Sequence, residues 1–286
     1  MAFRQDSDVS GVPGPDFLCF GMQKAGTRWL YDQLANADKV WMPPIKELSY
    51  FAGQQYKNSG LLRLMQHNRK LEKGVETTFE DRKFFELYEA GMDRSVSDEW
   101  YVSLFTPKND LIAGDISPVY STLPLASIQK LRNFLPHLKT VFLIRHPVDR
   151  ILSALNMHVN CGKLPAVDLQ SPDAILRRVS RATYRRRSYP TRIWSNWVSV
   201  FPENDIRFWF FEDVVSRPRA VINEIGEFLG VPKISISIRP DYNRKEDYPK
   251  HAIHEDVITK LYVHFGEEIE RAGQCFGGPA SNWKRM

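Results

Sequence analysis

What most restricts the fold of this chain is a series of short, continuous apolar runs, each closed by a loop and followed by a helix-patterned stretch. Thr140-Val-Phe-Leu-Ile-Arg145 is the clearest: an apolar core ended by an Arg-His-Pro turn. Pro147 suits the first helical position, whose N–H has no intrahelical partner, and the helix it opens is expected to reach about His158. Asp16 to Gly21 reads as a buried strand, with Thr27 to Ala37 as its helix. Leu111 to Ile116 is a second strand, with a helix from about Leu125 to Leu135. Ile206 to Phe211 is a further strand, and the helix after it, Pro218 to Leu229, is stopped by Gly230 and Pro232. A last amphipathic helix covers about Glu255 to Ala272. Strands without polar alternation, interleaved with helices, belong in a parallel sheet covered on both faces. The expected class is therefore α/β, three layers around a central parallel sheet. Ligands of such sheets bind beyond the carboxyl ends of the strands. That directs attention to Gly21–Trp29, Asp115–Tyr120 and Arg145–Ser153.

Composition narrows the class further. The 286 residues are 43% hydrophobic and 26% charged, and 7 Trp, 17 Phe and 11 Tyr can fill a large core. No apolar run approaches the roughly 20 residues that span a bilayer, so no transmembrane segment is expected. Residues 1–15 read as a polar tail without a signal core, and 16–286 as one domain. Cys19, Cys161 and Cys275 are widely spaced and form no metal-ligand pattern, which fits a reducing, cytoplasmic compartment. The net charge of +5 permits an anionic ligand without requiring nucleic acid, and no nucleic-acid partner is expected. Oligomeric state is not legible. Residues from about 52 to 110 are polar and helical in pattern, and read as an insertion packed over the sheet edge on the substrate side.

After the first strand comes Gly21-Met-Gln-Lys-Ala-Gly-Thr-Arg-Trp29. A nucleoside-triphosphate loop needs Gly, four residues, Gly, Lys and then Ser or Thr. Gly21 and Gly26 have that spacing, but Thr27 stands where the Lys belongs, and Lys24 lies inside the loop instead. Thr140 to Ile144 ends in Arg145 rather than in a magnesium-holding acid. A backbone anion nest at a helix start remains available. A plain Gly turn is the bland alternative, which Lys24, Thr27 and Arg28 together weigh against.

A second anion site is legible in Arg145-His-Pro-Val-Asp-Arg-Ile-Leu-Ser153. Arg145 ends a strand, and Ser153 lies about two turns into the next helix. A guanidinium fork and a hydroxyl can clamp one phosphate. Arg150 is expected to be structural, paired with Asp149 or another acid. Further on, Arg177, Arg178, Arg181, Arg185, Arg186 and Arg187 form a dense basic stretch. Positions 177, 181 and 185 are expected on one helical face, either solvated or clamping a nucleotide or an acidic acceptor.

These segments resemble the motifs of sulfotransferases that use 3′-phosphoadenosine 5′-phosphosulfate (PAPS). The first loop resembles their 5′-phosphosulfate loop, Gln-Lys-x-Gly-Thr-x-Trp-Leu, and Arg145 to Ser153 their 3′-phosphate motif. Pro44-Ile-Lys-Glu-Leu-Ser-Tyr-Phe51 and Gly114-Asp-Ile-Ser-Pro-Val-Tyr120 resemble segments of the carbohydrate and heparan sulfate branch, which also includes bacterial enzymes. Phe210 to Val214 and Glu227 to Gly230 match later segments, so the likeness runs in order from about residue 16 to 275. It implies a single P-loop-NTPase-like domain and sulfuryl transfer from PAPS, leaving the desulfated product PAP, with no metal required.

The resemblance also implies site residues. Lys24 stabilises the leaving group; Gln23, Ala25, Gly26, Thr27, Arg28 and Trp29 complete the 5′ side; Arg145 and Ser153 bind the 3′-phosphate. Glu47 matches the family's base, against the alternative of an ion pair with Lys46. Asp115, His67 and His158 are the other candidate bases. Arg244 and Lys245 match a basic loop over the nucleotide. Two positions depart from the heparan sulfate branch: Ser49 replaces a His and Ile116 a Lys, so heparan sulfate itself is not the expected acceptor. The expected acceptor is a hydroxyl, or less readily an amine, of a small molecule, lipid or carbohydrate. Two other readings stand beside this one: a magnesium-dependent kinase or NTPase, which needs a Lys after Gly26, and a non-catalytic PAP-binding module, which would tolerate loss of Glu47.

Overall fold

A computed structural model describes residues 14–53, 78–92, 97–231, 234 and 249–283. Five parallel strands form one sheet in the order β2-β3-β1-β4-β5: β1 (Phe17–Gly21), β2 (Val40–Trp41), β3 (Ile112–Ile116), β4 (Lys139–Ile144) and β5 (Ile206–Phe210). Phe17 is in register with Gly114 on one side and Lys139 on the other. Every residue of β1 is buried. This is the burial on both faces that its unbroken apolar run requires, and each large side chain so buried contributes roughly 1.5–3 kcal/mol. The Phe20 ring stacks on Phe142 of β4 at 4.7 Å and on Trp197 at 3.9 Å, which locks the two central strands together.

Helices flank the sheet. In chain order they are α1 (Thr27–Leu34), α2 (Phe79–Met92), α3 (Asp98–Ser103), α4 (Leu125–Phe134), α5 (Pro147–Asn160), α6 (Pro172–Val179), α7 (Ala182–Arg185), α8 (Pro190–Val198), α9 (Phe211–Ser216), α10 (Pro218–Leu229), α11 (Glu255–Phe276) and α12 (Gly278–Ser281). The described part of the 52–110 insertion covers the β2 edge. Phe84 of α2 packs on Trp41 at 6.1 Å, and Tyr50 stacks on Tyr101 of α3 at 4.6 Å. A second apolar cluster joins Val148, Ile151 and Leu155 of α5 to Ile175 and Val179 of α6 and to Val257, Leu261 and Phe265 of α11. It seats α5 rigidly, and α5 carries the second anion motif. No helix among the described residues is long and apolar enough to cross a membrane.

The sequence reading of the strand–helix units agrees with this architecture, with one strand missed and one correction. The missed strand is β2, whose pairing of Val40 with Ile112 and Trp41 with Ala113 is too short to leave a pattern. The correction concerns the basic stretch. The helix ends at Val179, Arg181 is extended (φ −66, ψ 146), and a new short helix starts at Ala182. Arg177, Arg181 and Arg185 therefore share no helical face.

Candidate active site

The loops after β1, β2, β3 and β4 open at one end of the sheet, beyond the carboxyl ends of the strands. The chain runs from β1 outward to β2, returns through β3, and then crosses to β4 and β5. The reversal lies between the neighbours β1 and β4, where open α/β sheets hold their ligands.

The β1 loop turns sharply. Gly26 has φ 92, and a Cβ there would meet the Phe211 ring at 3.3 Å, so both the turn and the packing demand glycine. Lys24 has φ 72, a left-handed conformation unusual for a residue with a side chain. Arg145 holds it: Nη1 donates to the Lys24 carbonyl at 2.8 Å, and the guanidinium lies over the Phe211 ring at 4.4 Å. The residue that follows β4 and the first anion loop are thus joined directly. Burial lowers the affinity of Arg145 for its proton, opposed by Asp149 and Glu212. Its Nε is buried without a hydrogen-bond partner among the described residues. Thr27 and Trp29 are buried, Trp29 in the main core, while Arg28 is 64% exposed and paired with Asp32 at 2.8 Å on the outside of α1.

The loop after β2 carries the second feature of this kind. Glu47 and Ser49 have φ 66 and 59. Among the described residues with side chains only Lys24, Glu47, Ser49 and Asn109 adopt positive φ, so both expected catalytic residues are in this set. Lys46 Nζ meets Glu47 Oε1 at 2.8 Å, and the Glu47 side chain stays 38% exposed. Ser49, which stands where the resembling branch has His, closes the turn by donating to the Glu47 carbonyl at 3.1 Å. The Ser49 N–H donates to Ser117 Oγ at 3.0 Å, which docks the loop on the segment after β3. Lys46 also acts on Cys19 in β1: burial pushes that thiol up to about 12, and the Lys46 charge pulls the other way. The β2 loop is thus docked on the segment after β3, and its Lys46 charge bears on the β1 strand.

Asp115, an alternative base, is enclosed. Ser117 donates to Oδ1 at 2.6 Å, Tyr120 to Oδ2 at 2.6 Å and Tyr101 to Oδ2 at 3.3 Å, and the Leu48 backbone adds another bond. Burial raises its carboxyl, and these donors oppose the rise. These bonds tie Asp115 to the Glu47 loop and to the Tyr120 segment. His158, another alternative, shares a hydrogen bond with the Tyr184 hydroxyl, and burial plus neighbouring cations depress its basicity. His67, Arg244 and Lys245 lie outside the described residues.

The second anion motif departs from expectation at Arg150. It is 1% exposed, and neither Asp149 nor any other acid pairs with it: Nε and Nη2 have no hydrogen-bond partner among the described residues. Three residues on, Ser153 is half-buried on the same helix. Arg187, one member of the basic stretch, turns inward and donates from Nη1 to Gln23 Oε1 in the β1 loop at 3.4 Å. Arg178 reaches the Lys163 carbonyl and Tyr184, whereas Arg177, Arg181, Arg185 and Arg186 are exposed. The special place of Arg187 had no sequence signal, because its neighbours in the run are also Arg. Among the described residues no group of His, Cys, Asp and Glu has metal-holding geometry.

Comparison with known proteins agrees with this geometry. The sulfotransferase from Alicyclobacillus acidocaldarius superposes with a TM-score of 0.60 at 19% identity, over 92% of this chain and 96% of that one. The sulfotransferase domain from the curacin biosynthetic pathway gives 0.51 at 16% identity, over 87% and 90%. At these identities the likeness is one of fold. No curated protein sequence matches the chain. The model described as "Sulfotransferase family" matches residues 15–235, the stretch that holds every strand of the sheet and each of the described loops: this chain belongs to the sulfotransferase family.

Proposed function

We propose that this sulfotransferase moves a sulfuryl group from PAPS to an acceptor hydroxyl at the carboxyl end of the sheet, with residues 16–286 acting as one domain. Bound PAPS supplies a sulfuryl group activated by its anhydride link to a phosphate. Lys24 neutralises the charge that develops on the oxygen between sulfur and the 5′-phosphate, an effect exerted on the transition state. Gln23, Ala25, Gly26 and Thr27 line the 5′ side through the loop backbone. Glu47, oriented by Lys46, accepts the proton of the attacking hydroxyl. Arg145 and Ser153 hold the 3′-phosphate, and in this reading Arg244 and Lys245 extend the nucleotide site.

The supporting observation is the bond from Arg145 Nη1 to the Lys24 carbonyl. One guanidinium ties the strained loop to the second anion motif, so the two ends of a bisphosphate nucleotide would act on one rigid unit. The buried Nε of Arg145 suits an anionic ligand, since it has no acceptor among the described residues.

The test is ligand-induced stabilisation. PAP at 100 times its Kd should stabilise the native state by about 2.7 kcal/mol. It should do so without magnesium, while ADP at equal concentration does much less. The difference should shrink in Arg145→Ala and Ser153→Ala. Equal stabilisation by ADP and PAP would overturn the donor assignment.

A further inference from the structure

Asp115 is a buried acid that the proposed reaction does not use. It is 2% exposed, and its partners are three hydroxyls and one backbone amide rather than a cation. A carboxylate in such a place is costly unless donors meet it. Ser117, Tyr120 and Tyr101 enclose both of its oxygens, which leaves no face open to a substrate.

Asp115, Ser117 and Tyr120 also receive the backbone of the loop that carries Glu47. The Leu48 N–H donates to the Asp115 carboxylate, the Ser49 N–H to Ser117 Oγ at 3.0 Å, and the Phe51 N–H to the Tyr120 hydroxyl. Ser117 donates in turn to Asp115 Oδ1 and Tyr120 to Oδ2, each at 2.6 Å. Each of these hydroxyls therefore accepts from the loop and donates to the carboxylate. An ionised carboxylate only accepts, so it sets the direction of every bond in the chain: amide to hydroxyl, hydroxyl to carboxylate. Glu47 and Ser49 lie in the left-handed region, with φ 66 and 59, which residues with side chains keep only where their surroundings impose it. The three amides supply that constraint on the C-terminal side of Glu47. Tyr50 adds another tie: its hydroxyl donates to Asp98 Oδ1 at 2.6 Å, and its ring stacks on Tyr101, itself a donor to Asp115.

We propose that Asp115 is a positioning residue for sulfuryl transfer, an acceptor-only anchor that orients the Ser117 and Tyr120 hydroxyls so that they hold the Leu48–Phe51 backbone, and with it the Glu47 side chain, in the geometry of proton removal. The catalytic half of this rests on Glu47 being the base; the clamp on the loop does not.

The experiment compares wild type with Glu47→Gln, Asp115→Asn, Ser117→Ala and the double variant Asp115→Asn/Glu47→Gln. It measures amide hydrogen exchange over residues 44–53, the Tm rise given by PAP, and steady-state PAP release from PAPS with a hydroxyl acceptor found by screening with labelled donor. Asp115→Asn keeps the shape but puts an N–H donor where the hydroxyls need an acceptor. Exchange at Leu48, Ser49 and Phe51 should quicken at least about tenfold, the worth of one charge-assisted bond. The kcat should fall about 10²-fold, the cost of misplacing a reacting group by about 1 Å, while acceptor KM and the PAP response stay near wild type. Because Asp115 acts through Glu47, the double variant should lose no more than Glu47→Gln alone. Losses that multiply in the double variant would make Asp115 an independent, structural contributor and overturn the proposal. Full kcat in Asp115→Asn, or unchanged exchange at the three amides, would overturn it too. If Asp115→Asn fails to fold, Ser117→Ala, which removes the acceptor of the Ser49 N–H, carries the same comparison with its own Glu47→Gln double variant. Full turnover in Glu47→Gln, with exchange quickened in Asp115→Asn, would refute the base reading while the clamp on the loop stands.

Discussion

Lys24 can be tested for strain and for chemistry in a single pair of variants. Its φ of 72 places a residue with a Cβ in the left-handed region, which disfavours L-residues by roughly 1–2 kcal/mol. Glycine adopts that conformation freely. Lys24→Gly should therefore be more stable than Lys24→Ala by on the order of 1 kcal/mol, after allowing for the greater chain entropy of glycine. For a chain of this length that is a Tm difference on the order of 2 °C. Both variants lack the ammonium group. If the charge acts on the leaving oxygen, each should lose about 10²–10³-fold in kcat, the usual loss on removing one preorganised charge-stabilising group. PAP should still stabilise both, through Arg145 and Ser153. The assay is thermal unfolding of the free and PAP-bound variants, with single-turnover release of PAP from PAPS in the presence of an acceptor found by screening with labelled donor. Near-normal kcat in Lys24→Ala at saturating PAPS would refute the assignment of the charge. Equal Tm values for the two variants would refute the strain argument and leave the chemistry standing.

Two further outcomes are expected. Glu47→Gln keeps the shape of the side chain but removes its ability to take a proton; PAP should stabilise it as it does wild type, while transfer to a hydroxyl drops by about 10²–10⁴-fold, and full turnover in that variant would remove Glu47 from the mechanism. Burial and the cations around it hold the His158 imidazole below its ordinary 6.5, so as pH falls through 6.5 the unfolded chain takes up a proton before the native one. Stability should therefore rise with pH across the window between the folded value and 6.5 and be lost on acidification through it, and a Tm–pH profile no flatter in His158→Gln than in wild type would rule His158 out as a source of the slope.

Much of the candidate site was legible because the chemistry proposed for it depends on local order. A strand, a glycine turn and a helix start are adjacent in the chain, so Gly21, Lys24, Gly26 and Thr27 mark the proposed anion loop before any tertiary contact exists. The same holds for Arg145, Pro147 and Ser153, where one strand end and one helix set the spacing. Unbroken apolar runs such as Val141 to Ile144 marked the buried strands, since alternation would have appeared if one face met water. Where an element is only two residues long, as in β2, periodicity has nothing to work on, and pairing with β3 alone makes it a strand.

Other features depended on residues far apart in sequence. The strand order, with β1 between β3 and β4, follows from crossover packing that no local pattern encodes. The enclosure of Asp115 by Leu48, Tyr101, Ser117 and Tyr120 draws on three segments, and turns a candidate base into a support. Breaking the helix at Arg181 decided which arginines face water and which faces the loop. Arg187 and Gln23 are 164 residues apart in the chain and in contact only because α8 and the sheet bring them together. The amino-acid sequence by itself determined the kind of sheet and the two proposed anion motifs, through periodicity and spacing. Tertiary structure alone decided that Arg150 would be buried without a counter-ion among the described residues, because the partner of a buried charge is set by packing between distant elements.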